Sequence, residues 1–207
     1  MKKYTWCIPS NTMDMANVSL FEHLKTTATF ADCLWLYKQE NPDDFSWDAS
    51  RYRLELKLGV CPVLLIGGDI SGIQKFIYNI SSQKAAVSLK GRSFYLQLLI
   101  DSIIQRIINR LEVTAGHVVY SSGGKFFMLL PNTEKVKGVL EELGKEFERS
   151  LWEQHKGSLL FNWDFVAFAY ETASGQLYFE GCRQSLGALW KCLSDKLAER
   201  KNRKFGS

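Results

Sequence analysis

The feature that most restricts the fold of this chain is a pair of adjacent glycines, Gly123-Gly124, set between VVYSS and KFFMLLP. The flanking runs are short, apolar and rich in β-branched and aromatic residues, which suits strands better than helices. A Gly-Gly between two such runs supplies the positive φ that a tight hairpin turn demands. The spacing therefore predicts strands over Val118–Ser121 and Lys125–Leu130 around the turn Ser122-Gly123-Gly124.

The neighbouring segments fall into order around this hairpin. Val60–Ile66 (VCPVLLI) reads as a buried central strand ending at Gly67-Gly68, with Pro62 near its start, where a missing N–H is tolerated. GDISGIQKFIYNI follows as a turn and a short helix. Leu89–Leu111 is predicted as a long helix with Phe94, Leu98, Ile104, Ile108 and Leu111 on one side. Pro131-Asn132-Thr133 closes the hairpin and can cap a helix from Glu134 to about Gln154, and Phe161–Tyr170 is a further strand. From Val60 onward the order is strand, helix, strand, strand, helix, strand. This is the α+β, ferredoxin-like βαββαβ plan: an antiparallel sheet with both helices on one face. Catalytic palms, RNA-binding modules and non-catalytic modules all use it, so the plan alone does not choose a function.

The flanks extend this unit. Val18–Lys38 reads as a helix capped by Asn17, with Leu20, Leu24, Ala28, Ala31, Leu34 and Trp35 at helical spacing. NPDDFSWDAS is expected to be a polar loop, and Arg51–Leu58 alternates charged and apolar residues as a strand with one wet face does. Leu186–Arg200 is a last helix running into the basic tail KNRK. With 207 residues, 46% of them hydrophobic, the chain can bury one sizeable core. A net charge of +4 is weak evidence for a nucleic-acid partner. The five cysteines are odd in number, widely spaced and without a CxxC, which points to reduced thiols in a cytoplasmic protein, with no zinc site. No membrane partner is expected: Ile100–Leu111 is interrupted by Asp101, Gln105, Arg106 and Arg110, and the N-terminus has no apolar signal core.

The chemistry-bearing residues gather in two places. In GGDISG, Gly67–Gly72, the glycines let a ligand approach the backbone and the following helix start offers N–H groups to a phosphate. Asp69 can offer a hard oxygen to a divalent metal, and Ser71 can donate to phosphate or ribose. The competing reading is structural: Gly67 and Gly68 relieve crowding, and Asp69 or Ser71 caps the helix. No Lys-Ser or Lys-Thr follows Gly72, so a Walker A loop is excluded. The second place is the hairpin turn, which the βαββαβ plan puts beside Asp69. In cyclases and polymerases with a palm domain, acids from both places hold two metals for an in-line displacement. Here Lys125 follows the glycines and repels a cation; it either faces solvent or meets a phosphate. Lys90 and Arg92, at the long helix's start, and Arg200, Lys201, Arg203 and Lys204 in the tail are either phosphate or RNA contacts or solvated charges. His23, His117 and His155 have no metal spacing.

Four blocks resemble one family, the large subunit of type III CRISPR effector complexes of the III-A (Csm) kind: VSLFEHLKTTATFADCLW, LLIGGDISGIQKFIY, LKGRSFYLQLL and VVYSSGGKFFMLLPNT. They span roughly Val18–Thr133. The resemblance implies a modular subunit with an HD nuclease domain, two palms, a small zinc module between them and a helical C-terminal domain. It implies that the palms together bind two ATP molecules, with Mg or Mn in the complete subunit, and make cyclic oligoadenylates when target RNA pairs with the guide RNA. The metal-binding Gly-Gly-Asp-Asp turn belongs to the second palm. This chain lacks that turn, the His-Asp pair and a cysteine cluster, so it reads as a piece: 1–58 a helical linker and edge strand, 59–175 a degenerate first palm, 176–207 a C-terminal helix and basic tail. Carried over by position, Gly68, Asp69, Ile70, Ser71 and Gly72 line the ATP pocket and Ser122, Gly123 and Gly124 face them, with Asp69 the one metal candidate and no catalytic residue assigned.

Two functions follow. One is an ATP-binding half-site for cyclic oligoadenylate synthesis, inactive alone, whose partner is the second palm. The other is a scaffold with a vestigial pocket that docks the Cas5-like subunit and the guide RNA. A generic RNA-binding module rests only on the fold plan and mild basicity.

Overall fold

The computed structural model describes residues 2–11, 13, 17–78, 85–171 and 175–205. Asn79 and Ile80, the end of the predicted GDISGIQKFIYNI segment, lie outside the described residues, as does the side chain of Lys204. The helices are α1 (Lys2–Thr5), α2 (Leu20–Glu40), α3 (Ile73–Tyr78), α4 (Ala85–Leu111), α5 (Glu134–His155) and α6 (Leu186–Phe205). The strands are β1 (Phe45–Asp48), β2 (Arg53–Leu56), β3 (Val63–Ser71), β4 (Val118–Ser122), β5 (Lys125–Pro131), β6 (Leu160–Glu171), β7 (Gln176–Phe179) and β8 (Cys182–Gln184).

The main sheet has the order β4-β5-β3-β6-β7-β8, and every pairing is antiparallel. Its first four strands, with α4 and α5 as the crossovers, give the order and directions of the βαββαβ plan. Strand β3 is central because its residues are apolar on both faces, as a strand buried from two sides must be. Leu64, Ile66 and Ile70 join Phe126, Met128, Leu130 and Phe161 under α4 and α5. Val63 and Leu65 join Leu129, Val166 and Phe168 on the other face.

That other face is not open. Cys33 and Phe30 of α2, and Leu189 and Leu193 of α6, pack against it. The predicted one-sided arrangement holds for α4 and α5, but the terminal helices cover the opposite side and build a second core layer.

Local differences have physical causes. Helix α2 starts at Leu20 with Ser19, not Asn17, as the cap; the Ser19 hydroxyl accepts from Glu22 N–H. Its buried face is Thr29, Cys33 and Tyr37, while Leu24, Leu34 and Trp35 are exposed. Helix α4 buries Leu96, Ile100, Ile103, Ile104, Ile107 and Ile108, which leaves Phe94 and Leu98 exposed on the opposite phase. NPDDFSWDAS, predicted as a loop, contributes strand β1, which pairs with β2 in a small separate sheet. Strands β7 and β8 extend the main sheet beyond the predicted Phe161–Tyr170 strand.

Candidate functional site

Strand β3 does not stop at the glycines. Gly67, Gly68 and Asp69 stay in register with β5 on one side and β6 on the other. The expectation that Gly67-Gly68 ends the strand is therefore corrected, and the reason is steric. Alternation points Gly68 at the α4/α5 core, where an added Cβ would lie 2.9 Å from Cδ1 of Phe126 and closer still to its Cε1 and Cζ. Gly67 points the other way, where a Cβ would meet Leu197 and Phe127 at 3.0 Å. The two glycines admit large side chains of the neighbouring elements.

The register then fixes the site. Asp69 stands opposite Lys125 on β5 and Asn162 on β6. Directly opposed residues share a face of the sheet, so these three side chains form one row on the α6 side, with neighbours about 5 Å apart. Ser71, two residues on, lies on the same face; it is 2% exposed and accepts a 2.8 Å hydrogen bond from Asn162 Nδ2. Asn162 is 1% exposed, and its Oδ1 has no hydrogen-bond partner among the described residues.

The hairpin turn closes beside this row. Gly123 and Gly124 both take positive φ, +63° and +83°, as a two-residue turn of the I′ kind requires. Ile70 N–H donates to Gly124 O at 2.9 Å, which locks the turn to β3. Ser122 and Gly123 are exposed and Gly124 is buried. The Ile70 side chain lies in the α4/α5 core, so this residue offers the site only backbone. Gly72 takes φ +91° and packs on the backbone of Ser158, turning the chain from β3 into α3.

The electrostatics follow from this placement. Burial pushes the Asp69 carboxyl above its usual range, and Lys125 and Lys201 oppose the shift. A divalent metal needs several hard oxygen ligands. Asp69 supplies one carboxylate with two ammonium groups in its field, and among the described residues no three His, Cys, Asp or Glu gather to hold a metal. The residues present do not fit a metal by themselves.

Other candidates are placed elsewhere. Arg92, read as a possible phosphate contact, instead donates to Phe76 O and lies over the Phe76 ring, tying α4 to α3. His155 sits 2.7 Å from Tyr95 Oη, and His117 Nε2 sits 3.3 Å from Asp32 Oδ2, a contact between α2 and the start of β4. Burial lowers the pKa of both rings, so both are neutral at pH 7. Arg200 pairs with Asp164 at 2.7 Å. All five cysteines are free, and burial first, then the charge of Asp32, raises the Cys33 thiol to about 12, outside the range of a nucleophile. The row residue that sequence reasoning passed over is Asn162; its signal was a polar side chain at an inward position of a mostly apolar strand, two residues before Asp164 on the same face.

Comparison with known proteins gives a consistent set of relatives. A family described as "Csm1 subunit domain B" matches residues 62–207. The "CRISPR system single-strand-specific deoxyribonuclease Cas10/Csm1 (subtype III-A)" of Enterococcus italicus is 33% identical over 209 residues, covering 96% of this chain and 26% of that protein. The protein of the same description from Mycobacterium tuberculosis is 36% identical over 141 residues, covering 67% of this chain and 17% of that protein. Among solved structures, a Csm1-Csm4 cassette in complex with one ATP is 26% identical with a TM-score of 0.75, over 99% of this chain and 26% of that one. A Csm1-Csm4 cassette in complex with cA4 has the same identity, TM-score and coverage. The chain thus spans about a quarter of the length of most of the relatives it matches.

Proposed function

This chain belongs to the Csm1 domain B family of type III-A CRISPR systems, and from that premise we propose that it is a first palm contributing an ATP-binding half-site to cyclic oligoadenylate synthesis. The observation that carries the reading is the row Lys125–Asp69–Asn162 beside the locked turn at Gly123-Gly124. A pocket for a nucleotide needs a backbone edge, a hydroxyl or amide and a positive charge. Gly72 and the turn residues Ser122, Gly123 and Gly124 supply the first, Ser71 and Asn162 the second and Lys125 the third, while the backbones of Gly68 and Asp69 are paired on both sides. Structures similar to this chain hold ATP and cA4.

Half of the acids of a metal-using palm are missing here, because Lys125 stands directly opposite Asp69. The reaction therefore needs the second palm of the same subunit to supply them, with Mg or Mn bound there, and this chain binds and orients one nucleotide. In the assembled cytoplasmic complex its partners are that second palm, a Cas5-like subunit such as the Csm4 of the similar cassettes, and, through the complex, guide and target RNA.

The test is calorimetric titration of the chain with ATP, together with chromatography of ATP incubations. Weak binding that Ser71→Ala reduces, with no oligoadenylate formed, is the expected result. Robust oligoadenylate synthesis by the chain alone sinks the half-site reading. A second reading, a scaffold with a vestigial pocket, draws on the burial of Ser71 and on α6 covering that face of the sheet. It wins if ATP gives no heat while the Csm4-like subunit still binds.

A further inference from the structure

We infer that Lys125 of the hairpin and Lys201 of α6 form a two-armed clamp over Asp69 that takes the polyphosphate of a nucleoside triphosphate. The inference rests on the nucleotide-binding reading above and assigns the end of the nucleotide that this half holds.

The geometry comes from α6. Leu193 belongs to the second core layer with Leu65, Leu197 reaches the α6-side face of Gly67, and Lys201 acts on the Asp69 carboxyl. Arg200 pairs with Asp164, which stands opposite Gly67 on β6. The helix therefore runs along β3 in the direction of the strand. From Leu197 to Lys201 it rises about 6 Å. From Gly67 to Asp69 the strand advances about 6.6 Å. Lys201 comes level with Asp69 on the face that Asp69 shares with Lys125. One lysine reaches the row from the neighbouring strand and the other from the helix above it.

Both lysines are exposed, and neither closes an ion pair among the described residues. Three basic residues near Lys201 on α6 are committed: Lys196 to Glu180, Arg200 to Asp164 and Arg203 to Glu199. Two ammonium groups against one carboxylate leave the row net positive. Asp69 holds its proton more tightly than an ordinary carboxyl, which lessens its repulsion of an anion. The floor of the site, Asn162, is almost fully buried with its Oδ1 unpartnered among the described residues; an amide oxygen accepts, so it is completed by a donor such as a ribose hydroxyl and not by the polyphosphate. A buried acceptor without a partner costs stability unless something completes it.

The experiment titrates the chain with ATP, with inorganic tripolyphosphate and with adenosine. The variants are Lys125→Ala, Lys201→Ala, the double variant and, as a control, Lys191→Ala, an exposed lysine earlier on α6. Each clamp variant is expected to weaken ATP and tripolyphosphate binding about tenfold, as loss of a charge-assisted contact does, the double variant more. Adenosine binding and the Lys191→Ala variant stay at the wild-type level. Wild-type-like ATP binding by Lys125→Ala and Lys201→Ala overturns the clamp and leaves the nucleotide reading standing. Lysine-dependent binding of tripolyphosphate without any preference for ATP supports the clamp and overturns the nucleotide reading. No binding of either anion by the wild-type chain overturns both.

Discussion

Replacing Gly68 by alanine separates two explanations of the Gly-Gly pair. If the glycines exist to let a ligand approach, Gly68→Ala should weaken nucleotide binding and leave stability alone. The structure argues otherwise. The new methyl would point into the α4/α5 core and fall more than about 0.6 Å inside the ~3.5 Å contact distance of two carbons, since it lies 2.9 Å from Phe126 Cδ1 and closer to Cε1 and Cζ. The ring has nowhere to go: Phe126 is 1% exposed and stacks on Phe161 with centroids 6.3 Å apart. Overpacking of this kind costs about 1–3 kcal/mol, and the rigid stack puts the expectation at the upper end. For a chain of this size each kcal/mol lowers Tm by about 2–4 °C. Urea unfolding of Gly68→Ala, Phe126→Leu and the double variant gives the coupling. Phe126→Leu alone is destabilising because it leaves space. Adding Gly68→Ala to it should then cost less than about 0.5 kcal/mol, so the two changes should couple by more than 1 kcal/mol. A Gly68→Ala variant as stable as wild type, or a double variant whose costs simply add, refutes the steric account.

Three further outcomes follow from the same geometry. Asp69 has a raised pKa, so between its unfolded pKa of about 3.9 and its native one the folded state binds more protons, and stability falls as pH rises. Asp69→Asn should therefore be more stable than wild type at pH 7, with the gain vanishing below about pH 4; a Tm series across pH checks it, and a less stable variant at pH 7 contradicts it. Gly72→Ala and Gly123→Ala both place alanine at positive φ, which costs about 1 kcal/mol. Only at Gly72 does the added Cβ also run into backbone, that of Ser158, so Gly72→Ala should be clearly the worse of the two in chemical denaturation. Thr133 caps α5 by accepting from Val136 N–H at 3.2 Å and is itself buried, so Thr133→Ala should cost about 1–2 kcal/mol in a thermal melt, whereas Thr133→Ser should retain most of it.

The topology was legible because local signals agreed with it. The hairpin glycines, the cap at Thr133 and the apolar runs of β3 and β6 each act within a few residues of themselves. Which helix face is buried was less legible, because α2 and α4 carry apolar residues on more than one side; Leu34, Trp35, Phe94 and Leu98 fit a helical period as well as the buried sets do. Tertiary packing, not periodicity, makes that choice. The end of β3 was misplaced because glycine usually ends a strand, and the counter-argument, the ring of Phe126, sits almost 60 residues away in sequence. The short strands β1, β7 and β8 were missed for a related reason: three- and four-residue strands carry too little pattern to stand out from turns.

The site was half visible for a reason that also bears on its chemistry. Asp69 and the hairpin can be paired from the fold plan, but the members of the row depend on register, and a slip of one residue would turn Lys125 and Asn162 to the opposite face. With the observed register, the residue opposite Asp69 sets the sign of charge the row attracts. A carboxylate there would place two acids about 5 Å apart on adjacent strands, a spacing that a divalent metal can bridge. A lysine there repels the metal, holds a counter-charge beside Asp69 and leaves the row suited to an anion. The absence of acids at this hairpin is thus a change in what the same backbone geometry can hold, made by a single side chain.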